Sequence, residues 1–364
     1  MLLLVKKILK ALVKFIYVLV ERYPIAVALF GFVSGVLSFM MVERKEALAQ
    51  IIAALMLLSW IWLSSEVLLK KKVTHWFDFE LPPAVINLAT QMVHQESLFF
   101  VIPFFFITTA WNSGHMVFTT FLMVAALVSV VDPIYHGWLA PRRGLYFIFH
   151  GITLFAVLLS TLPIIFHLPT PNAYLWSLLI AMVLTLANVT LVLKTVWWKR
   201  IFTILLLVIT TTAMGLLIRP WIPPATLWLT EVAITDQFNP EDRSPQNTFK
   251  LVNTEQLQHG LYAYTAIHAP RGLNERIYHI WQLNGQVIDK VALDINGGRA
   301  EGYRSWSHKE NFPEHPIGHW KIQVVTEANQ LIGILRFDVV ESKVEVTPTP
   351  VETIDTPIIA VPSD

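Results

Sequence analysis

The distribution of charge along the chain constrains its fold more than any other feature. Seven apolar runs of about 20 residues, the length a helix needs to cross a bilayer, follow one another at roughly 24–42, 47–69, 84–110, 115–131, 145–166, 172–193 and 201–218. Most charged side chains of this region fall in the gaps between them. The pattern predicts an α-helical polytopic membrane bundle of about seven spans over 23–220. Composition agrees, because 54% of the 364 residues are hydrophobic and only 15% are charged, where soluble domains carry about 25%. Mean hydropathy is +0.54. A single soluble globule is excluded.

Charge also gives direction. Up to Pro220 the chain holds 16 Lys+Arg against 8 Asp+Glu, and after it 11 against 18. Cations collect in alternate gaps: Lys6, Lys7, Lys10, Lys14 and Arg22 before the first run, then Lys70, Lys71 and Lys72, then Arg142 and Arg143, then Lys194, Lys199 and Arg200. The other gaps offer only Arg44, Lys45 and Arg219. Lys and Arg are retained in the cytoplasm, so the N-terminus is expected inside and everything after Pro220 outside. Over 1–22 the lysines oppose Leu9, Leu12, Val13 and Ile16, which reads as a basic amphipathic helix on the lipid bilayer. A secretory signal is disfavoured, since Lys interrupts the apolar stretch and no small-residue cleavage site follows. With no cysteine, disulfides, thiolate nucleophiles and Cys-ligated zinc are excluded.

Polar side chains are costly at membrane depth and face a bundle interior or a cavity. The third apolar run is richest in them: Asn87, Gln91 and His94 form one helical stripe, with Gln95 and Glu96 beside it. Asp132, His136 and His150, with Glu66 and Asn188, fall toward the inner ends of other runs. A cluster of Asn87, Gln91, His94, Glu96, Asp132 and His150 could relay protons or bind a cation. It could equally be interhelical hydrogen bonding. Asp132-Pro133 reads as a helix end. Nucleotide-binding, metalloprotease and nucleophile-elbow motifs are missing, so no cofactor, metal or catalytic residue is assigned.

From about 228 the periodicity becomes alternating. Trp320, Ile322 and Val324 alternate with His319, Lys321 and Gln323, and Leu335, Phe337 and Val339 with Arg336 and Asp338. With further strands expected at 229–237, 260–268, 276–283, 286–295 and 301–307, an all-β, immunoglobulin-like sandwich is predicted over 221–342. Asn284-Gly285 is a type I′ hairpin signal, Asn296-Gly297-Gly298 a second turn, and 239–258 a polar insertion with a short helix. The Pro/Thr-rich acidic tail, 343–364, is expected to be disordered.

Several short motifs in this region occur in a familiar order. Thr265-Ala266-Ile267-His268-Ala269-Pro270, Ile277-Tyr278-His279-Ile280-Trp281, Tyr303-Arg304-Ser305-Trp306-Ser307, Gly318-His319-Trp320-Lys321 and Leu335-Arg336-Phe337 resemble the bacterial "domain of unknown function 2914" family, over about 110 residues. The resemblance implies a periplasmic β domain on a multi-pass anchor in the inner membrane of Gram-negative bacteria, and no activity. His308 departs from it, standing where the family pattern has a cation.

His279 and Trp281 share one strand face. With Arg304, Trp306 and His308 they are candidates for an aromatic and cationic platform that stacks on a cell-wall glycan or meets an envelope protein. The alternative makes Trp281 the core tryptophan of the sandwich and His279 a buried hydrogen-bonding group. His268, His279, His308, His315 and His319 lie on different strands, so their spacing assigns no metal. The acidic outer segment excludes nucleic acid. The leading expectation is therefore a non-enzymatic protein whose outer sandwich binds an envelope component or a protein partner. The alternatives are a proton-coupled transporter or channel using the polar cluster, and a membrane-embedded transferase using Glu43 and Glu46.

Overall fold

A computed structural model describes residues 11, 18, 22, 29–37, 46–64, 83–192, 196–239, 241, 244–299, 301–341, 348–349 and 352–354. The chain forms two compact units. One comprises Met1–Phe104, Thr119–Ile165 and Leu175–Leu216, the other Phe105–Phe118, Phe166–Tyr174 and Leu217–Asp364.

The helices are α1 (Glu46–Ser64), α2 (Pro83–Thr108), α3 (His115–Val130), α4 (Arg143–Phe166), α5 (Thr170–Val192) and α6 (Trp197–Ile218). Residues 29–37 are also helical. Between α3 and α4 a short turn, Asp132–Ile134, runs into a π-helical segment, Tyr135–Leu139. The expected bundle of about seven spans is corrected here. Among the described residues only Arg143–Phe166 and Trp197–Trp221 are long and apolar enough to cross a membrane. His115–Val130 with Asp132–Leu139 adds a third only if two halves bent by 93° count as one broken span.

The discrepancy has physical causes. The polar run Gln91–Ser97 interrupts α2, and α3 ends after 16 residues at the Asp132-Pro133 break. In α2 the helix is long enough and its composition is too polar, whereas in α3 the composition is apolar and the helix is too short. The N-terminal amphipathic helix and Glu66 lie outside the described residues, and of Asn188 only the helical backbone is described.

Within the helical unit the packing is close where glycine allows it. A Cβ on Gly35 would meet the Phe99 side chain at 2.6 Å and the Glu96 carbonyl at 3.0 Å, so the 29–37 helix lies directly on α2. In contrast, α6 exposes Ile201, Phe202, Leu205, Leu206, Ile209 and Leu217.

The second unit contains the sandwich. Strands β1 (Trp228–Thr235), β3 (Leu261–His268) and β6 (Tyr303–Lys309) form one sheet in the order β6-β3-β1-β9, where β9 is Glu352–Thr353. The other sheet has the order β2-β8-β7-β4-β5, with β2 at Leu251–Asn253, β4 at Asn274–Leu283, β5 at Gln286–Asn296, β7 at Gly318–Thr326 and β8 at Leu331–Val340. All pairings are antiparallel except β2 with β8. The seven expected strands form, and β2 and β9 are additional. Asn284 and Gly285 both adopt positive φ, 47° and 87°, at the β4–β5 hairpin, as a type I′ turn requires. Glu352–Thr353 lies in the segment expected to be disordered and pairs with Glu231 and Val232 of β1.

The core joins both sheets, with Leu229, Ile234, Ala263 and Ile267 from one and Ile277, Trp281, Ile322 and Phe337 from the other. Trp320 stacks on Phe337 at 5.7 Å. Two helical connections complete the unit: Gly114 lies against Trp221, and the Arg219 guanidinium sits 4.6 Å above the Tyr174 ring.

Candidate functional site

The polar stripe of α2 meets the helix break. Proline has no N–H and disfavours helical geometry in the residue before it. Val131, which caps the Asp132-Pro133 turn, is extended with ψ 93°, and helix ends leave carbonyls without partners. Two α2 amides supply them, since Gln91 and Gln95 donate to the Ser129 carbonyl at 2.9 and 2.7 Å. Gln91 also donates to Asp132 Oδ1 at 2.7 Å and accepts from His136 Nε2 at 2.8 Å. One side chain thus fixes both sides of the break.

The π-helical turn places Tyr135 beside α2, and single-turn π segments recur at functional sites. Its hydroxyl lies 2.7 Å from His94 Nδ1, and His94 Nε2 lies 3.2 Å from His150 Nδ1 of α4. The Trp60 ring covers His150 at 4.8 Å, while its indole N–H donates to Ser97 at 2.9 Å. His94 is fully buried and His150 is 4% exposed.

Hydrogen-bond bookkeeping gives this chain two arrangements. Either Tyr135 donates to His94, which donates to His150, leaving an N–H on His150 Nε2, or every bond reverses and Nε2 carries a bare lone pair. In both cases His150 Nε2 is buried without a partner. A chain that reverses by shifting one proton per link can pass a proton along it.

The structure thus gathers Gln91, His94, Asp132 and His150, with Asp132 linked through Gln91 and not directly to the histidines. Asn87 is exposed, and Glu96 instead accepts from Ser34 at 3.0 Å. Gln95, read in the sequence beside the stripe, joins the site through Ser129, and Tyr135 and Trp60 complete it without being singled out in the sequence. Only the Asp132-Pro133 break beside Tyr135 and His136 hinted at the tyrosine.

The sandwich candidates do not share a face. His279 and Trp281 are wholly buried between the sheets. Ser307 accepts the Trp281 indole N–H at 3.0 Å and lies 2.9 Å from His279 Nδ1, whose Nε2 is 3.2 Å from Thr265 Oγ1. Burial holds His279 down to about 3 from the ordinary 6.5, so the ring is neutral. Arg304, Trp306 and His308 project from the opposite face of β6, across from Ala266, Tyr264 and Tyr262. There His308 stacks on Tyr262 at 4.0 Å and Trp306 meets Phe238 at 5.0 Å. The remaining histidines have separate neighbours: His268 stacks on Trp228, and His319 pairs with Asp338 at 2.6 Å.

Two family models cover most of the chain. Residues 6–263 match one described as Family of unknown function (DUF5924), and residues 274–339 match Protein of unknown function (DUF2914), which takes in the motifs from Ile277 onward and leaves the 265–270 motif outside. The first match ends inside β3. No curated protein matches the chain.

Proposed function

The chain belongs to the DUF5924 family, of unknown function, and we propose that its helical unit lies in a membrane and moves protons through Tyr135, His94 and His150. The observation that carries this reading is the buried chain ending at the unpartnered His150 Nε2. A proton arriving at Nε2 releases the Nδ1 proton of His150 to His94, His94 releases its own to the Tyr135 oxygen, and that hydroxyl gives up its original proton to the solvent phase opposite the one that supplied the first. Ring reorientation then resets the chain. Irregular backbone at membrane depth is tolerated where it is buried or lines a cavity, and broken helices mark transporter sites.

Membrane embedding is supported by the exposed apolar face of α6, which is too large to leave in water. The orientation, with the sandwich on the periplasmic side of a bacterial inner membrane, is supported by charge. The cation-free connections 105–118 and 166–174 group with the sandwich, while Arg142, Arg143, Lys199 and Arg200 belong to the other unit. The test is proton flux into liposomes carrying the full chain and an internal pH dye. A His94→Ala, His150→Ala double variant should lose the flux, and an Asn87→Ala variant should keep it. Wild-type protein without flux, or a double variant that retains it, overturns the reading.

A second reading has its own observation. The outward aromatic set of Tyr262, Trp306 and His308, with Arg304 beside it, fits a sugar ring or a protein side chain. On this reading the sandwich binds a cell-wall glycan or an envelope protein. Trp306→Ala should then abolish capture of that component by the full chain, and unchanged capture refutes it.

A further inference from the structure

The connection between α4 and α5 meets strand β4 at one buried carboxyl group. Glu275 is 5% exposed, and its Oε2 accepts two hydrogen bonds from Thr170, from the backbone N–H at 2.9 Å and from the hydroxyl at 2.7 Å. Thr170 is the first residue of α5, where helix amides lack intrahelical partners. A side chain remote in sequence therefore does the work of a local cap. The other carboxyl oxygen, Oε1, is buried without a hydrogen-bond partner.

Opposing forces act on this group. Burial penalises the charge, while the two Thr170 donors favour it, and burial dominates. The carboxyl is raised from the ordinary 4.5 to about 7, with the Glu327 charge adding to the rise and Arg219 opposing it. Arg219 also donates to the Pro171 carbonyl and to Gln330 Oε1, both at 3.4 Å. Beside Glu275 opens a cleft of about 260 Å³ lined also by Glu327, Arg276 and Asp294. Arg276 and Asp294 are paired with each other at 2.8 Å. In the same connection His167 rests against Gly272, and its Nδ1 is buried without a partner. Water reaching Glu275 through the cleft would solvate a carboxylate that the closed joint leaves half-partnered.

We infer that Glu275 is a proton-operated latch: protonated, it holds the start of α5 against β4, and on losing its proton it lets that connection open. The direction follows from linkage. A carboxyl whose value is raised in the closed state favours closure below its open-state value, and the advantage is lost as pH rises through about 7. The opening constant should thus climb about tenfold per pH unit from about 4.5 and level off above about 7, roughly 300-fold in all. The latch stands whether or not the histidine chain carries protons. Because Thr170 follows closely on α4, which bears His150, the latch controls the freedom of the segment just after that helix.

Amide hydrogen exchange of the full-length protein in detergent, followed from pH 5 to 8.5 and corrected for intrinsic rates, tests this. In the wild type, protection over 166–174 should fall about fortyfold between pH 5 and 7, about twofold more by pH 8.5, and then flatten. Glu275→Gln keeps a neutral acceptor and should stay protected at every pH, whereas Glu275→Ala should be open at every pH. His167→Gln should retain the wild-type transition. Flat wild-type protection, the same transition in Glu275→Gln, or its loss in His167→Gln overturns the latch. Unchanged protection in β7 and β8 shows in each variant that the sandwich is folded.

Discussion

Removing the Ser307 hydroxyl is the sharpest test of where His279 and Trp281 belong. That hydroxyl accepts the Trp281 N–H and can donate its own proton to His279 Nδ1, while His279 Nε2–H donates to Thr265 Oγ1. Thr265 Oγ1 lies 3.0 Å from Ser305 Oγ, which continues the chain. Ser307 is 2% exposed and its two partners are fully buried, so no solvent replaces the lost group. Ser307→Ala leaves one donor and one acceptor unpaired, each costing about 1–3 kcal/mol. Partial relaxation brings the expected loss to about 2–4 kcal/mol, a large part of a domain's stability of about 5–15 kcal/mol. Hydrogen exchange in β4, β6 and β7 of the full-length protein measures it as a fall in opening free energy. Trp281→Phe should cost less in the Ser307→Ala background than in the wild type, because the indole N–H has already lost its acceptor. If His279 and Trp281 were instead surface binding residues, Ser307→Ala would stay within about 0.5 kcal/mol. A loss below about 1 kcal/mol refutes the buried-chain reasoning.

Further outcomes follow from burial and close approach. Acid should weaken the sandwich through His279: its folded value is depressed to about 3, so the stability it contributes is present above about 6.5 and is lost as pH falls toward 3. Thermal scans of the full chain should show this fall, and His279→Gln should blunt it. Gly297→Ala would drive a methyl group into the Pro270 carbonyl and break up a turn whose N–H bonds Leu273 at 2.8 Å. Its thermal midpoint should drop by an amount corresponding to about 3 kcal/mol or more. Gly35→Val should push the 29–37 helix off α2 and break the Ser34 bond to Glu96, which cysteine cross-linking between the two segments would register as lost proximity.

Legibility in the sequence followed the periodicity. Strands with one buried face alternate, so β7 and β8 were readable from Trp320, Ile322 and Val324 and from Leu335, Phe337 and Val339. The two- and three-residue strands β9 and β2 are too short to show a period. Counting apolar runs overreached in the helical region because the polar stretch Gln91–Ser97 dilutes the unbroken α2 and Asp132-Pro133 stops α3 early. The α2 stripe was legible at helical spacing, and its meeting with His150 depended on tertiary packing. Tyr135 reaches His94 through a π turn, which has no signature in residue types. On β4 the shared face of His279 and Trp281 was readable, but a two-residue spacing does not say whether that face points inward. Strand β6 settles it by inverting the usual pattern: Ser305 and Ser307 point into the core to satisfy the buried imidazole and indole, and Trp306 points out.

The two family matches divide one folded object. The match over 274–339 contains β4 to β8, and the match over 6–263 contains β1, β2 and part of β3. Twelve of the 22 buried residues that make the main core precede residue 274, including Leu229, Ile234, Leu261 and Ile267. A fragment limited to 274–341 would keep β6 without its one paired neighbour, β3, and bare the inner face of the other sheet. At about 1.5 kcal/mol for each of the ten remaining core side chains returned to water, the loss reaches the upper end of a domain's total stability of about 5–15 kcal/mol. That fragment should therefore be unfolded or aggregated, while 221–354, which restores β1, β3 and the β9 edge, should unfold cooperatively in circular dichroism. A soluble, cooperative 274–341 fragment would mean that the second match is a domain in its own right and that β1 and β3 only decorate it.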